Sequence, residues 1–215
     1  MQRLRLRFSR GDEVKYISHL DLMRLWSRAL RRAGIRLAYS EGFSPHPKMS
    51  LAAPLPTGVT SEAELMDISL QKMVSPHFLI RTVAQQLPKG IDILEVQEIP
   101  LTSPSLQSQL RYAEYRVVVT ASQSEEEMHA AINWLLQAKS LPWQHMRDTG
   151  PRHYDLRALI DQIRLVSRHD STFTLGMRLR CDSQGTGRPE QVTAALGLTE
   201  YPSSIHRTKL IIAGK

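Results

Sequence analysis

His46 stands between two prolines in the run Tyr39-Ser40-Glu41-Gly42-Phe43-Ser44-Pro45-His46-Pro47-Lys48. Gly42 permits backbone angles closed to other residues, and Pro45 and Pro47 restrict the chain on either side of the imidazole. A loop stiffened in this way holds Tyr39, Ser40, Ser44, His46 and Lys48 in fixed relation. A preorganised imidazole and ammonium suit either phosphate recognition or general acid–base chemistry on a phosphodiester. In the second case His19 or His46 is the base and Lys48 stabilises the phosphorane. Phe43 either stacks on a base or pins the loop to the core. The same composition also describes a loop rigid for structural reasons alone.

Upstream, Ser18-His19-Leu20-Asp21 opens a helix. Ser18 is its N-cap, and Asp21 completes a capping box and favours the positive helix end. Gly34 fits the C-terminal cap. At about 100° per residue, Leu22, Leu25, Trp26, Ala29 and Ala33 share one face, and Arg24, Arg28, Arg31 and Arg32 another. His19 falls at the core-facing edge near Trp26, whereas Asp21 points toward the arginines. The two therefore diverge. His19, Asp21, His46 and His77 never adopt a helical ligand spacing, so no metal is expected. The arginine stripe can track phosphates or can simply be a solvated face.

Net charge strengthens the first alternative. The chain carries +7, and residues 1–50 hold eleven Lys/Arg against four Asp/Glu, while the remainder balances. A basic field confined to one region attracts a polyanion such as RNA. Residues 3–9 add to it, with Leu4, Leu6 and Phe8 on one side of a half-buried strand and Arg3, Arg5 and Arg7 on the other. These arginines either contact phosphate on an open sheet face, form a cross-strand ladder with Asp67 or Glu95, or are buried against the second domain.

The elements that must position these groups follow an order of β-α-β-β-α-β. After the first strand and helix, Ile35–Tyr39 reads as a strand broken by the proline loop and resumed at Met49–Leu55. Glu64–Leu70 is the next strand, Ser75-Pro76 opens a helix, and Ile91–Ile99 closes the unit. A Ser/Pro/Gln tract at 101–111 reads as a linker. The second half repeats the plan with one added strand: Ala113–Ala121, a helix from Ser124, strands at Trp143–Arg147, Tyr154–Val166 and Thr172–Cys181, a helix ending near Leu196, and Ile205–Ile212. Asp148-Thr149-Gly150-Pro151-Arg152 is turn-like. The expectation is α+β, with two tandem ferredoxin-like domains at 1–100 and 112–215. Gly187 and Arg188, ahead of the last helix, are a candidate anion site through backbone amides and guanidinium.

No apolar run approaches the roughly 18 residues of a membrane helix, and the N-terminus lacks the apolar segment of a signal peptide. A cytoplasmic location without a membrane partner is expected. The single cysteine, Cys181, excludes an internal disulfide and an all-cysteine metal cluster.

Several runs together resemble a known family. They are Tyr16-Ile17-Ser18-His19-Leu20-Asp21, Arg28-Ala29-Leu30-Arg31-Arg32-Ala33-Gly34, the proline loop, Pro54-Leu55-Pro56-Thr57-Gly58, Tyr154-Asp155-Leu156-Arg157, Gly187-Arg188-Pro189 and Ile205-His206-Arg207-Thr208. The chain is similar to the uncharacterised radical-SAM-associated family, whose members stand alone or are fused C-terminally to cobalamin-binding-type radical SAM proteins. The resemblance implies an accessory role to a radical SAM protein and a link to RNA metabolism. It brings no catalytic residues and no cofactor for this chain.

The leading expectation is a non-catalytic module that presents rRNA or tRNA to a radical SAM partner. Arg3, Arg5, Arg7, Arg24, Arg28, Arg31, Arg32 and Lys48 would hold phosphates. His19, Asp21, Tyr39, Ser40, Gly42, Phe43 and His46 would form the recognition loop. The alternatives are a metal-independent endoribonuclease like the CRISPR-repeat nucleases, using His19, His46 and Lys48, and a protein-interaction domain docking the radical SAM partner.

Overall fold

Strict alternation at the start of the chain produces strand β1 (Gln2–Arg10), in which Leu4, Leu6 and Phe8 are fully buried. The computed structural model describes residues 1–147 and 150–213, with only the backbone of Met146 and Arg147. It is an α+β chain that divides into two compact units, Met1–Leu110 and Arg111–Ala213.

In the first unit, β1 is followed by a short 3-10 turn (Asp12–Val14), helix α1 (His19–Arg32), β2 (Met49–Leu51), β3 (Thr60–Leu70), α2 (Pro76–Ala84) and β4 (Ile93–Ile99). The strands lie side by side in the order β2-β3-β1-β4, each pair antiparallel. One sheet face and the two helices enclose the core. Leu4, Leu6, Phe8, Met66, Ile68 and Leu70 meet Leu22, Trp26, Ala29, Leu30, Leu79 and Val83. Phe8 and Trp26 pack edge to face at 4.9 Å between ring centroids, an arrangement aromatic pairs prefer. The expected strand at Ile35–Tyr39 is absent as a ladder. Leu37 and Tyr39 each make one isolated bridge, to Leu70 and Pro47.

The Ser/Pro/Gln tract read as a linker carries the short helix α3 (Leu106–Gln109), capped by Ser105. Leu106 is fully buried, and the Gln107 amide donates to Leu51 O at 2.7 Å.

The second unit runs β5 (Leu110–Thr120), α4 (Glu125–Gln137), β6 (Pro142–Arg147), β7 (Gly150–Asp155), β8 (Ile160–His169), β9 (Thr172–Asp182), the two-residue β10 (Gly185–Thr186), α5 (Pro189–Ala195) and β11 (Ser204–Ile212). Its main sheet places β9 beside β5 and β5 beside β11, with β8 and β10 both pairing with β9. β6 and β7 form a separate two-stranded sheet. Asp148 and Thr149, from the expected turn, lie outside the described residues. The single strand expected over Tyr154–Val166 is two strands parted by a 3-10 turn at Arg157–Leu159. Asp155 stabilises that turn by accepting the Arg157 N–H at 2.9 Å. Among the described residues no helix is long and apolar enough to cross a membrane.

Candidate nucleic-acid interface

Helix α1 begins where local chemistry dictates. Ser18 Oγ accepts the Asp21 N–H at 3.2 Å, and its hydroxyl donates to Asp21 Oδ2 at 2.7 Å. The reciprocal bond of a capping box is thus replaced by a hydroxyl–carboxylate bond. Asp21 also accepts from Arg24 at 3.1 Å. The Ser18 hydroxyl, then Arg24, hold the Asp21 carboxyl below the usual carboxylate range. His19 is exposed at the first helical position rather than at the core-facing edge.

The arginines follow at every fourth residue. Arg24, Arg28 and Arg32 line a groove of about 700 Å³ between α1 and the segment after α2, with Asp21, Leu25, Gln86 and Pro88 also on its walls. A helix rises about 1.5 Å per residue, so successive guanidinium groups are anchored about 6 Å apart along the axis. Arg24 is paired with Asp21. Arg32 donates to the Gln86 side chain at 3.2 Å and to its carbonyl at 2.6 Å, bonds to neutral groups that leave its charge uncompensated. Arg28 attracts Asp21 at longer range and, among the described residues, makes no ion pair. On the other flank, Arg31, Arg36 and Tyr39 line a second groove of about 430 Å³ with Ser27 and Gln71.

The strand arginines are used differently. Arg5 lies directly opposite Asp67 in the β1–β3 register, and Arg7 opposite Glu95 in the β1–β4 register. Arg5 is 6% exposed and Asp67 3%, and Arg3, two residues from Arg5, adds a bond to the same carboxylate at 2.8 Å. Arg3 also donates to the carbonyls of Ser103 and Pro104, at 2.6 and 3.0 Å. Of the alternatives for this face, the ladder with Asp67 and Glu95 is formed. Arg3 and Arg5 are therefore withdrawn from any phosphate-binding set, because both are paired with the Asp67 carboxylate and largely buried. Arg7 is half-exposed, with a looser 3.5 Å pair to Glu95.

Arg10 was invisible to pattern reading. It is 1% exposed and donates to the carbonyls of Val14, Lys15, Ile17 and Leu55, at distances of 2.5 to 3.3 Å. It holds the approach to α1 in place. Its position on the strand carried no signal of this role, because the partners are backbone atoms of a turn.

The proline loop is a closed hairpin. Ser40 N donates to His46 O at 2.9 Å, His46 N donates to Ser40 Oγ at 3.0 Å, and Lys48 N donates to Ala38 O at 2.8 Å. Gly42 takes φ +113°, which favours glycine. Between the closing bonds, residues 41–46 are exposed, and Phe43 at the tip is fully so. Phe43 therefore does not pin the loop to the core. Tyr39 at the base is 41% exposed. Among the described residues no hydrogen bond joins the side chains of His19, His46 and Lys48 to one another or to a carboxylate, and no three His, Cys, Asp or Glu groups cluster as metal ligands.

In the second unit the glycines near Arg188 serve packing rather than anion binding. Gly187 N donates to Arg180 O at 2.8 Å and Gly185 N to Asp182 Oδ1 at 3.2 Å, so neither amide awaits an anion. A Cβ on Gly187 would lie 3.0 Å from Leu159 O. Arg188 remains available, on the wall of a cleft with His145, Arg152, Tyr154 and Arg180. Arg188 was legible from the sequence as part of an anion site, but the whole cleft was not, because its lining residues come from separate stretches of the chain.

With this geometry established, a family model described as "Uncharacterized protein conserved in bacteria (DUF2344)" matches residues 3–189. The chain belongs to this family. No curated protein matches it. Among solved structures, a chain of a Cbf5-Nop10-Gar1 complex is similar over 96% of this family member and 48% of that chain, with TM-score 0.53 and 8% identity. The archaeal box H/ACA sRNP Nop10-Cbf5 complex is similar over 95% and 46%, with TM-score 0.49 and 9% identity. The DUF2344 chain thus spans a little under half the length of these solved chains. At such identity the likeness to the first is one of fold alone.

Proposed function

We propose that this DUF2344 chain is an RNA-binding module, with the outer face of α1 and the adjoining proline loop as its interface. The observation that carries this reading is the guanidinium row on α1. Arg28, Arg31 and Arg32 are exposed and lack carboxylate partners among the described residues, and Arg24 extends the row. A row of cations at one-turn spacing suits the phosphates of a flexible strand, while Phe43 and Tyr39 offer faces on which unpaired bases stack. Lys48 adds charge at the margin, whereas Arg7 projects from the sheet face away from α1 and pairs with Glu95. With Arg3, Arg5 and Arg10 spent inside the unit, the interface is smaller than the net charge suggests.

Each unit is read as a ferredoxin-like β-α-β-β-α-β fold. Its strands lie in the order second, third, first, fourth, and the second unit carries an inserted β6–β7 hairpin. The finer role is accessory: the chain, in the cytoplasm, presents rRNA or tRNA to a radical SAM partner. One buried cysteine cannot hold an iron–sulfur cluster, so that chemistry belongs to the partner. The exposed Phe43, with Tyr16 and Leu20 also exposed, favours a second reading in which the loop docks this partner protein.

A single-stranded RNA oligonucleotide titrated against the wild-type chain and an Arg28→Glu/Arg32→Glu variant tests the assignment. The variant should lose binding. Equal affinity of the two would remove α1 as the interface.

A further inference from the structure

The cleft in the second unit is a separate feature from the α1 face. It holds about 270 Å³ and is lined by residues of β6, β7, the end of β9, Gln184, β10 and Arg188. We propose that it binds a phosphomonoester of mononucleotide size, with Arg152 and Arg188 gripping the phosphate.

The charge accounting supports an anion. Arg180, Asp155 and Asp182 are committed within the fold. Asp155 accepts the N–H groups of Leu141 and Arg157 at 2.8 and 2.9 Å. Asp182 accepts Arg180 Nε at 2.8 Å and the N–H groups of Gln184 and Gly185. Arg152, by contrast, is exposed, and its guanidinium lies 5.8 Å from the centre of the Tyr154 ring, with no carboxylate partner among the described residues. Arg188 has only a loose 3.9 Å approach to Glu190, and its Nη1 is 3.4 Å from His145 Nε2. His145 sits directly opposite Arg152 in the β6–β7 register, so the three groups come from neighbouring backbone. An arriving phosphate gives the two guanidinium groups the charged, bidentate partner they lack.

The rest of the lining fits the organic part of such a ligand. Ala158, Leu159 and the Tyr154 ring provide an apolar wall. The Tyr154 hydroxyl donates to Gln191 Oε1, which fixes the ring and leaves both N–H donors of the Gln191 amide for another acceptor. The volume is at the lower end of small-molecule sites, enough for one phosphate and one ring system but not for a continuous strand.

Such a phosphate comes either from a free nucleoside monophosphate or from the phosphorylated end of an RNA. Calorimetric titrations distinguish them, using AMP, adenosine, inorganic phosphate, and one oligonucleotide with either a 5′-phosphate or a 5′-hydroxyl. The full chain carries Arg28→Glu/Arg32→Glu, so that failure of the α1 interface is read separately. The expected result is binding of AMP, or of the 5′-phosphorylated oligonucleotide over its hydroxyl form, weakened about tenfold or more by Arg152→Gln and by Arg188→Gln. Both arginines are at the surface, and unchanged thermal midpoints confirm folded variants. Binding of AMP identifies the free nucleotide, and preference for the phosphorylated end identifies RNA. No binding of either, or binding that neither substitution weakens, overturns the proposal.

Discussion

Arg5 grips Asp67 through two bonds, Nε to Oδ1 at 2.8 Å and Nη2 to Oδ2 at 3.0 Å, and both residues are buried. Arg3 shares the same carboxylate. A buried pair of this kind adds little net stability, but losing one partner strands the other's charge. Asp67→Asn should therefore cost about 3–5 kcal/mol in denaturant unfolding, whereas Arg5→Met with Asp67→Leu should recover most of the loss. A cost below about 1 kcal/mol for Asp67→Asn would mean the pair does not hold this face together.

Gly185 and Gly187 should respond differently to a methyl group. At Gly187 the new Cβ meets the Leu159 carbonyl and Leu179 Cβ, both at 3.0 Å and both close to rigid backbone. At Gly185 it meets Leu159 Cδ2 at 2.6 Å, the far end of a side chain that can rotate away. Thermal unfolding should show Gly187→Ala destabilised by about 1–3 kcal/mol, and Gly185→Ala by less. The reverse order would contradict the packing role given to Gly187.

The acid limb of stability should depend on Asp155. The Leu141 N–H donates to its carboxylate, with Ser140 and Arg157 assisting, and this holds the carboxyl below the usual range. The unfolded chain titrates near about 3.9. A depressed folded value stabilises fully above that pH and is lost as pH falls through the folded value. The gap in stability between wild type and Asp155→Asn should thus be constant near neutrality and shrink below about pH 4. Denaturant midpoints measured from neutral pH into this range check it; parallel curves would refute it.

The parts of this fold that are local in chemistry were legible in the sequence. Ser18, Ser75 and Ser124 each accept the N–H three residues on, as their types and spacing imply. The alternation of β1 correctly marked Leu4, Leu6 and Phe8 as buried. What could not be read was register. Whether Arg5 faced solvent or Asp67 depends on a strand 62 residues away, and periodicity is silent on the opposing residue. Ile35 and Leu37 are buried as their pattern suggests, yet burial alone does not make a ladder, and only single bridges form there. At the proline loop the stiff backbone was legible but the direction of Phe43 was not.

Phe43 provides a direct test of the loop. Its side chain is fully exposed, so Phe43→Ala should leave the unfolding midpoint unchanged. Loss of one stacked base is worth about 1–3 kcal/mol, so affinity for single-stranded RNA should fall at least several-fold. Unaltered RNA affinity, with altered capture of a radical SAM protein after nuclease treatment, would instead assign the loop to protein docking.

The salt dependence of RNA binding tests the central claim most directly. The logarithm of the affinity should fall linearly with the logarithm of salt concentration, with a slope near about −0.7 for each phosphate contacted on a single strand. If Arg24, Arg28, Arg31 and Arg32 each meet a phosphate, the slope should be about −3, and Arg28→Glu/Arg32→Glu should flatten it by at least about 1.4. A wild-type slope near zero, or one that the double substitution leaves unchanged, would contradict the assignment of α1 as a nucleic-acid interface.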